Sequence, residues 1–290
     1  KTGQGATACA AFPVQAAQHR GGELRHRGET DEADADQRVG LARQVEIQVA
    51  QQQDAQDGQP PDAQQQPGQV PTGTGAETAH AVGRRVDHRR GLPRTAGHTA
   101  GEESLADIVR AASKREVDYL TVFGFSTENW VRPRAEVRHI LGLHKKLFGR
   151  IKELNENNVR VNWIGRPFDE PGSRTPLYVQ RAIRKAIEDT AGNTGMVLTV
   201  AFDYGSRSEL TRAATELVRS GQELTPLNLR TRLYDSTLPP VDVLVRTSGE
   251  SRISNFLLWQ IKSAHIYFTE RPWPDFDDVD LDAAIALTKN

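Results

Sequence analysis

Residues 119–125, Tyr-Leu-Thr-Val-Phe-Gly-Phe, form a short run of apolar and β-favouring side chains. Such a run is typical of a strand that is buried within a sheet. The polar stretch 126–133, Ser-Thr-Glu-Asn-Trp-Val-Arg-Pro, predicts a loop directly after it. Beyond the loop, apolar residues at helical spacing predict one long amphipathic helix: Val137, Ile140, Leu141, Leu147, Phe148 and Ile151.

The alternation of strand and helix continues on both sides of this unit. Helical spacing of apolar residues predicts four more helices: 100–112, 176–187, 206–217 and 278–287. Apolar β-favouring runs predict four more strands: 159–164, 196–202, 241–245 and 264–268. Ser206 and Glu209 have the spacing of a capping box at a helix start. The pattern predicts an α/β fold, a single domain with a mainly parallel central sheet flanked by helices.

In parallel α/β sheets, ligands bind beyond the carboxyl ends of the strands. This rule selects three polar segments: 126–132, 203–207 and 246–254. The last reads Arg-Thr-Ser-Gly-Glu-Ser-Arg-Ile-Ser and begins directly after a buried strand. Its two guanidinium groups and its hydroxyls suit the oxygens of a phosphate or diphosphate, although the chain has no Walker motif. The alternative is a solvated polar turn whose arginines pair with Glu250.

The segment 126–132 carries different chemistry. Asn129 can donate and accept hydrogen bonds, and Trp130 offers a flat apolar face beside Arg132. The alternative is that Trp130 anchors the core and Glu128 caps the next helix. Upstream, Arg94 and His98 are four residues apart and could share one face of a helix, a pairing that is also common on protein surfaces.

Charge and composition exclude several classes of protein. The 290 residues hold 37 Lys and Arg against 38 Asp and Glu, a formal net charge of −1, which argues against a global electrostatic grip on nucleic acid. The single cysteine, Cys9, excludes an internal disulfide framework. No apolar run reaches the ~18 residues of a transmembrane helix, and no secretory signal is evident. We therefore expect a cytoplasmic protein.

Residues 1–88 differ from the remainder in composition. They contain 15 of the 18 Gln but only four of the large apolar and aromatic residues: Phe12, Leu24, Leu41 and Ile47. Such a segment buries too little apolar surface to offset about 1–2 kcal/mol of backbone entropy per residue. It is predicted to be a low-complexity, disordered extension, or else the translation of a wrong reading frame in a GC-rich gene.

Five segments resemble, in order, the hallmark segments of the cis-prenyltransferases, the undecaprenyl or decaprenyl diphosphate synthases and isoprenyl transferases: 90–101, 123–137, 203–209, 245–260 and 273–276. Residues 123–137, Phe-Gly-Phe-Ser-Thr-Glu-Asn-Trp-Val-Arg-Pro-Arg-Ala-Glu-Val, carry the closest likeness. The resemblance covers residues 89–290 and implies the fold of that family.

The resemblance implies roles for the matching positions. Asn129 and Ser126 would handle the proton that isopentenyl diphosphate loses. The allylic diphosphate would be held by Arg94 and His98, with Arg132 assisting. Isopentenyl diphosphate would be held by a second set, Arg246, Arg252 and Ser254, and the neighbouring Ile253 is a further substrate-binding position. The remaining substrate-binding positions are Arg85, Thr127, Glu128 and Trp130.

The resemblance also implies an activity and its partners. Members condense an allylic diphosphate, such as farnesyl diphosphate, with isopentenyl diphosphate and make a cis-polyprenyl diphosphate. In bacteria this product is the lipid carrier for cell-wall glycans. Members require Mg²⁺ and form homodimers, and a lipid product implies peripheral contact with the inner face of the membrane.

Two positions depart from the family pattern. The family's first motif, Met-Asp-Gly-Asn-Gly-Arg-Trp-Ala, falls on residues 80–87, His-Ala-Val-Gly-Arg-Arg-Val-Asp, where only Arg85 agrees and Ala81 replaces the essential Asp. The position of the family's magnesium-binding Glu is His265, and imidazole is a poor ligand for magnesium. No metal ligand can therefore be assigned.

The loss of resemblance inside a catalytic motif favours a frame error over a genuine domain junction. We expect two regions, a low-complexity or frame-shifted segment at 1–88 and a cis-prenyltransferase-like domain at 89–290. The activity of the chain as written is expected to be impaired. The alternatives are a non-catalytic cis-prenyltransferase-like binding subunit and, from phosphate chemistry alone, a phosphatase or sugar-phosphate enzyme.

Gly124 bears on the length of the product. The resemblance places it near the tunnel for the prenyl chain, with the helix from Val137 to Ile151 as a wall. Because glycine has no side chain to block the tunnel, a medium or long product is predicted. The alternative is that Gly124 permits close packing of a helix on the strand.

Overall fold

The computed structural model describes residues 44–48 and 94–289. Six parallel strands in these residues form one sheet, in the order β3-β4-β2-β1-β5-β6. The strands are β1 (Gln44–Gln48), β2 (Tyr119–Ser126), β3 (Arg160–Ile164), β4 (Val197–Tyr204), β5 (Val243–Arg246) and β6 (His265–Phe268). The predicted parallel α/β architecture is confirmed.

Seven α-helices are present in the described residues. They are α1 (Arg94–Lys114), α2 (Arg134–Phe148), α3 (Ile151–Glu156), α4 (Leu177–Asp189), α5 (Ser206–Arg219), α6 (Pro226–Arg230) and α7 (Asp278–Ala286). Helix α1 packs on α2 and α7, and α2 packs on α4. In the described part of the chain, no helix is both long enough and apolar enough to cross a membrane.

Both faces of the sheet are covered. Because successive strand residues point to opposite faces, Val122 and Phe123 enter two different apolar clusters. Val122 joins the larger cluster, which contains apolar residues of α1, α2, α4 and α7. Phe123 joins a smaller cluster, in which Phe256 stacks on its ring at 4.4 Å between centroids. Covered faces explain why the strands read as continuous apolar runs.

Strand β1 lies inside the segment that composition predicts to be unstructured. It pairs with β2 and β5, with Ile47 opposite Val122 and Val245. Val45 and Ile47 are fully buried. The prediction for 1–88 is therefore wrong at residues 44–48, because the local alternation Gln-Val-Glu-Ile-Gln is a strand pattern that an average over 88 residues conceals. Residues 1–43 and 49–88 lie outside the described residues, so the domain boundary at 88 stays a prediction.

The predicted long helix over 137–151 is two helices. Helix α2 ends at Phe148, and the Gly149 amide donates to the carbonyls of Lys145 and Lys146 at 3.1 and 3.0 Å. Glycine is a weak helix former, so a helix stops readily there. The chain then turns at Arg150 and continues as α3.

The predicted capping box at the start of α5 is also wrong. Gly205 is the N-cap residue, and Ser206 and Glu209 lie inside the helix, both buried. Glu209 accepts hydrogen bonds from the Tyr204 hydroxyl at 2.6 Å and from the Tyr234 amide at 3.0 Å. Glu209 therefore cross-links the end of β4 to the chain beyond α6 instead of capping a helix.

Candidate functional site

Three loops meet at the carboxyl edge of the sheet, as the sequence predicts. Asn255 Nδ2 donates to Glu128 Oε1 at 3.0 Å, and Asn255 Oδ1 accepts from the Arg207 amide at 2.8 Å. A Cβ on Gly205 would lie 2.7 Å from Thr127 Oγ1, so only glycine permits this close approach. The segments 126–132, 203–207 and 246–255 are thereby brought together.

The first loop is a tight 3₁₀ turn, Thr127–Val131, capped by Ser126. Ser126 Oγ accepts from the Glu128 amide at 3.1 Å and donates to the Glu128 carboxylate. Asn129 is buried, and its Oδ1 accepts from the Ser126 amide at 2.8 Å. Glu128 therefore binds Ser126 and Asn255. The alternative interpretation, in which Glu128 caps the following helix, is wrong.

Trp130 is half-buried and held on several sides. Its Nε1 donates to Asp203 Oδ1 at 2.7 Å, and its ring meets the Phe125 ring edge-on at 4.8 Å between centroids. The Arg174 guanidinium lies 5.3 Å from the ring centroid, in cation–π contact. Trp130 thus packs partly against the core, as one interpretation predicts, yet stays at the loop edge.

Asp203 is a site residue whose role sequence reasoning missed. It is buried, and its φ of +52° is uncommon outside glycine, although Asp and Asn tolerate it. Burial raises the pKa of its carboxyl, while the bond from Trp130 and the charges of Arg166 and Arg174 act in the opposite direction. The available signal was a carboxylate placed directly at the end of a fully buried strand.

Arg132 follows the 3₁₀ turn and is nearly inaccessible to solvent. Its Nη1 donates to Glu136 Oε1 at 2.5 Å. Its Nη2 is buried, with no hydrogen-bond partner among the described residues. A buried donor without a partner destabilises the folded state. A ligand that accepts a hydrogen bond from Nη2 would remove this cost.

Arg246 ends β5, and 95% of its surface is buried. Its Nε donates to the Arg252 carbonyl at 2.8 Å, and its Nη2 to Ser254 Oγ at 3.3 Å. Burial lowers its pKa to about 10, because the nearest carboxylate, on Glu250, lies 3.9 Å away and offsets the burial only in part. A buried cation with so little compensation is suited to an anionic ligand.

Arg252 differs from Arg246. Its side chain is 58% exposed and pairs with Glu250 through Nε at 2.9 Å. The alternative interpretation, a solvated turn whose arginines pair with Glu250, therefore fits Arg252. It does not fit Arg246, which is buried. Ser254 has a φ of +52°, and Ile253 packs against the smaller apolar cluster.

The remaining predicted binding residues are described in part or not at all. Arg94 and His98 lie one turn apart in α1, as their spacing predicts; their side chains are outside the described residues. Arg85 and Ala81 also lie outside the described residues.

The described residues do not fit a magnesium site. They contain no group of three His, Cys, Asp or Glu side chains that could hold a metal ion. His265 begins β6 opposite Val243, three residues before the level of Arg246, which is about 10 Å along a strand. His265 therefore lies toward the amino edge of the sheet, away from the loops of its own chain.

A side chain at Gly124 would meet His144 and not an open tunnel, so the argument from Gly124 to product length fails, while the product length itself stays a prediction. A Cβ at this position would lie 2.6 Å from His144 Nε2 and 3.2 Å from Val200 Cγ1. His144 is a buried residue of α2 whose ring packs against Phe202. Gly124 instead permits close packing of the helix on the strand, which is the alternative interpretation.

Comparisons with known proteins agree with this geometry. The family model described as putative undecaprenyl diphosphate synthase matches residues 83–288. An isoprenyl transferase of Brucella abortus is 45% identical over 203 residues, which are 67% of this chain and 78% of that protein. An isoprenyl transferase of Neisseria gonorrhoeae is 43% identical over 200 residues, 68% of this chain and 79% of that protein.

Solved structures show the same fold. Lavandulyl diphosphate synthase from Lavandula x intermedia, in complex with dimethylallyl diphosphate, has a TM-score of 0.67 at 25% identity and covers 85% of this chain and 94% of its own. A probable undecaprenyl diphosphate synthase from Campylobacter jejuni has a TM-score of 0.59 at 30% identity, covering 66% and 89%. The chain belongs to the cis-prenyltransferase family, that of the undecaprenyl diphosphate synthases and isoprenyl transferases.

Proposed function

We propose that this chain is an isoprenyl transferase that binds isopentenyl diphosphate at the loop 246–254 and joins it to an allylic diphosphate such as farnesyl diphosphate. The observation that carries the proposal is Arg246, a buried and poorly compensated cation beside Ser254 at the carboxyl end of a central strand. A diphosphate supplies the negative charge that this environment lacks.

The proposed reaction is a head-to-tail condensation. The bond between C1 of the allylic substrate and its diphosphate oxygen breaks, C4 of isopentenyl diphosphate bonds to C1, and C2 of the isopentenyl unit loses a proton. The products are a chain longer by one isoprene unit and free diphosphate. Holding two diphosphates side by side makes the step effectively unimolecular, which is the main contribution of the protein.

Each set of residues has a proposed part in this reaction. Arg246, Arg252 and Ser254 hold isopentenyl diphosphate, and Arg252 exchanges Glu250 for a phosphate oxygen when the ligand arrives. Arg132 turns its unused Nη2 donor toward the allylic diphosphate, which Arg94 and His98 also bind. The buried Asn129 and its neighbour Ser126 lie on the facing loop as candidates for receiving the proton.

Further properties are proposed from the resemblance. The family implies a homodimer, magnesium dependence and a product that serves as a cell-wall lipid carrier. A long polyprenyl chain partitions into lipid, so we place the protein in the cytoplasm at the inner face of the membrane. No catalytic step above is assigned to magnesium, because the described residues do not form its site.

We also propose that the chain as written is impaired in catalysis and that a frame error lies between strand β1 and Arg89, because β1 itself pairs on both sides within the sheet. Ala81 stands at the position of the family's essential Asp, and the family match begins only at residue 83. The alternative function is a non-catalytic binding subunit. The complete set of polar residues in loops 126–132 and 246–254 favours the enzyme, since a scaffold has little need of both.

Calorimetric titration with isopentenyl diphosphate tests the binding site. Arg246→Gln removes the buried charge and is expected to weaken binding at least tenfold, the equivalent of about 1.5–3 kcal/mol for a hydrogen bond to a charged group. Arg219→Gln, an exposed arginine in the last turn of α5, is the matched control and should bind as the parent does. Equal affinity of both variants would contradict the proposed site.

A further inference from the structure

Asp203 makes a contact that none of the proposed roles uses. Its Oδ1 accepts the Trp130 indole N–H at 2.7 Å, and the residue is 1% exposed. A hydrogen bond to a carboxylate is stronger than one between neutral groups, and the buried setting reduces competition from water. This bond joins the end of β4 to the loop that carries Asn129.

Asp203 also ties a third segment to the same place. Its carbonyl accepts from the Arg166 amide at 3.1 Å, at the start of the strap 165–176 that connects β3 to α4. Arg174, near the end of that strap, lies over the Trp130 ring. One residue thus fixes the edge of the indole and anchors the strap that covers its face.

We propose that Asp203 is a positioning residue for the diphosphate-binding loops, acting by holding the Trp130 ring in one orientation at the carboxyl edge of the sheet. The proposal rests on the proposed function, because it assumes that substrate binds beside Trp130. Asp203 itself contacts no substrate; its effect passes through the indole.

The geometry explains why the ring depends on this bond. Trp130 lies in a turn of only five residues and is half-buried, so packing holds one part of its ring and leaves the rest at the surface. Phe125 meets the ring edge-on, and the indole packs only in part against the larger apolar cluster. Without an acceptor at Asp203, the indole N–H would be left without its partner and the ring would be free to adopt other rotamers.

The backbone of Asp203 dictates which variants are informative. Its φ of +52° is tolerated by Asn and Gly but strains Ala. Asp203→Asn keeps an acceptor oxygen and the backbone conformation. Asp203→Gly keeps the conformation and removes the acceptor. Trp130→Phe removes the donor and keeps an aromatic ring, which permits a double-mutant cycle with Asp203→Gly.

The first measurement is the Trp130 indole resonance in ¹H–¹⁵N spectra of the full chain, assigned by its loss in Trp130→Phe. We expect one sharp resonance in the parent and in Asp203→Asn. In Asp203→Gly the resonance should shift and broaden or split, because the ring samples several orientations. An unchanged resonance in Asp203→Gly would overturn the proposal.

The second measurement is calorimetric binding of farnesyl diphosphate, an allylic diphosphate that Arg132 at the end of the same turn is proposed to hold, and this readout needs no turnover. Asp203→Gly and Trp130→Phe should each weaken binding about fivefold, close to the worth of one hydrogen bond, and Asp203→Asn should restore it. The double variant should be little worse than either single one, since both remove the same contact. A lower melting temperature in Asp203→Gly with unchanged affinity would assign Asp203 a structural role only and overturn the proposal.

The two proposals fail differently. If the parent binds isopentenyl diphosphate and Arg246→Gln weakens it, the proposed function stands whatever Asp203 does. If the parent and every variant bind equally weakly, the proposed function fails, and the positioning role fails with it. In that case, a Trp130 indole resonance that shifts or broadens in Asp203→Gly would show only that Asp203 holds the ring, with no consequence for substrate binding.

Discussion

Asn255 Nδ2 donates to Glu128 Oε1 at 3.0 Å across 127 residues of sequence, and this bond joins the two loops proposed to hold the substrates. The same side chain accepts from the Arg207 amide, so one amide group ties together three segments. Asn255 has a φ of +59°, which only a few residue types adopt without strain.

Replacing this side chain is expected to loosen all three loops at once. Asn255→Gly keeps the backbone conformation and loses both hydrogen bonds, so we expect a loss of about 1–3 kcal/mol in the free energy of unfolding. Asn255→Asp places a second carboxylate against Glu128 and should destabilise the chain further. Urea unfolding measures both; equal stability of Asn255→Gly and the parent would show that the bonds do not link the loops.

Arg252 is expected to bind substrate although it is mostly exposed. Arg252→Gln should weaken isopentenyl diphosphate binding about tenfold, because a charge-assisted contact is worth about 1.5–3 kcal/mol. Its pairing with Glu250 competes with the ligand, so Glu250→Gln should leave binding unchanged or strengthen it. Calorimetric titration of both variants with isopentenyl diphosphate measures these affinities. Unchanged affinity in Arg252→Gln would support the alternative that Arg252 lies in a solvated turn and binds no substrate.

Gly124 is expected to act through packing, not through product length. Gly124→Ala forces a methyl group against His144 and should destabilise the chain by about 1–3 kcal/mol, the usual range for overpacking. Gly142 is the matched control, because nothing lies within 4 Å of a Cβ there and it sits inside α2. Gly142→Ala should be neutral or stabilising by about 0.5–1 kcal/mol.

Thermal unfolding of these two variants measures the difference. If Gly124→Ala melts at the same temperature as the parent, a methyl group fits beside His144 without strain. Gly124 could then lie beside the tunnel for the prenyl chain, as the sequence-based prediction held.

These cases show which parts of the fold could be predicted from sequence. Strand β2 and the helices α2, α4, α5 and α7 follow from apolar periodicity, because burial against a sheet imposes that spacing directly, whereas the short helix α6 was not predicted. Strand β1 could not be found from composition, since two apolar residues in a five-residue alternation suffice for a strand that pairs on both sides. The break at Gly149 and the internal position of Ser206 depend on contacts between elements, which periodicity does not report.

The site divides in the same way. The rule for parallel sheets placed the three loops correctly, because it depends only on strand direction. The hydrogen bond from Trp130 to Asp203 spans 73 residues, and the exclusion of side chains at Gly124 depends on a helix facing the strand. Such relationships arise from tertiary packing, so no local pattern encodes them.

Glu209 makes stability depend on pH. Burial raises the pKa of its carboxyl above the ordinary value of 4.5, so the folded state binds more protons than the unfolded state in that range. The stability contributed by this group is therefore present below pH 4.5 and declines as pH rises through the raised pKa. Bonds from Tyr204, Tyr234 and Gln260 and the charge of Arg212 oppose the shift without cancelling it.

Glu209→Gln removes this titration. Its melting temperature relative to the parent should rise as pH increases from 4.5 through the raised pKa of Glu209 and then level off, because the parent alone acquires a buried charge. A constant difference across the pH range would mean that Glu209 titrates as an ordinary carboxyl.

The nucleotide sequence upstream of the codon for Arg89 tests the frame error. The family match begins at residue 83, within residues 80–87, where the resemblance implies a motif that includes Asp-Gly-Asn-Gly-Arg-Trp. We expect another reading frame to encode that peptide just before Arg89. Its absence from every frame would leave residues 1–88 as a genuine, divergent extension.

Catalysis by the chain as written should then be weak, whereas its binding of isopentenyl diphosphate should persist. Arg246 and Ser254 lie within described, well-packed sequence, but Ala81 offers no carboxylate where relatives have one. Incorporation of labelled isopentenyl diphosphate with farnesyl diphosphate and magnesium should therefore be near background, and restoring the predicted peptide should raise it by orders of magnitude. Turnover by the unaltered chain equal to that of the restored one would show that another group performs the work of the missing carboxylate. Binding without turnover in both chains would favour the non-catalytic subunit, because the intact diphosphate loops would then serve recognition alone.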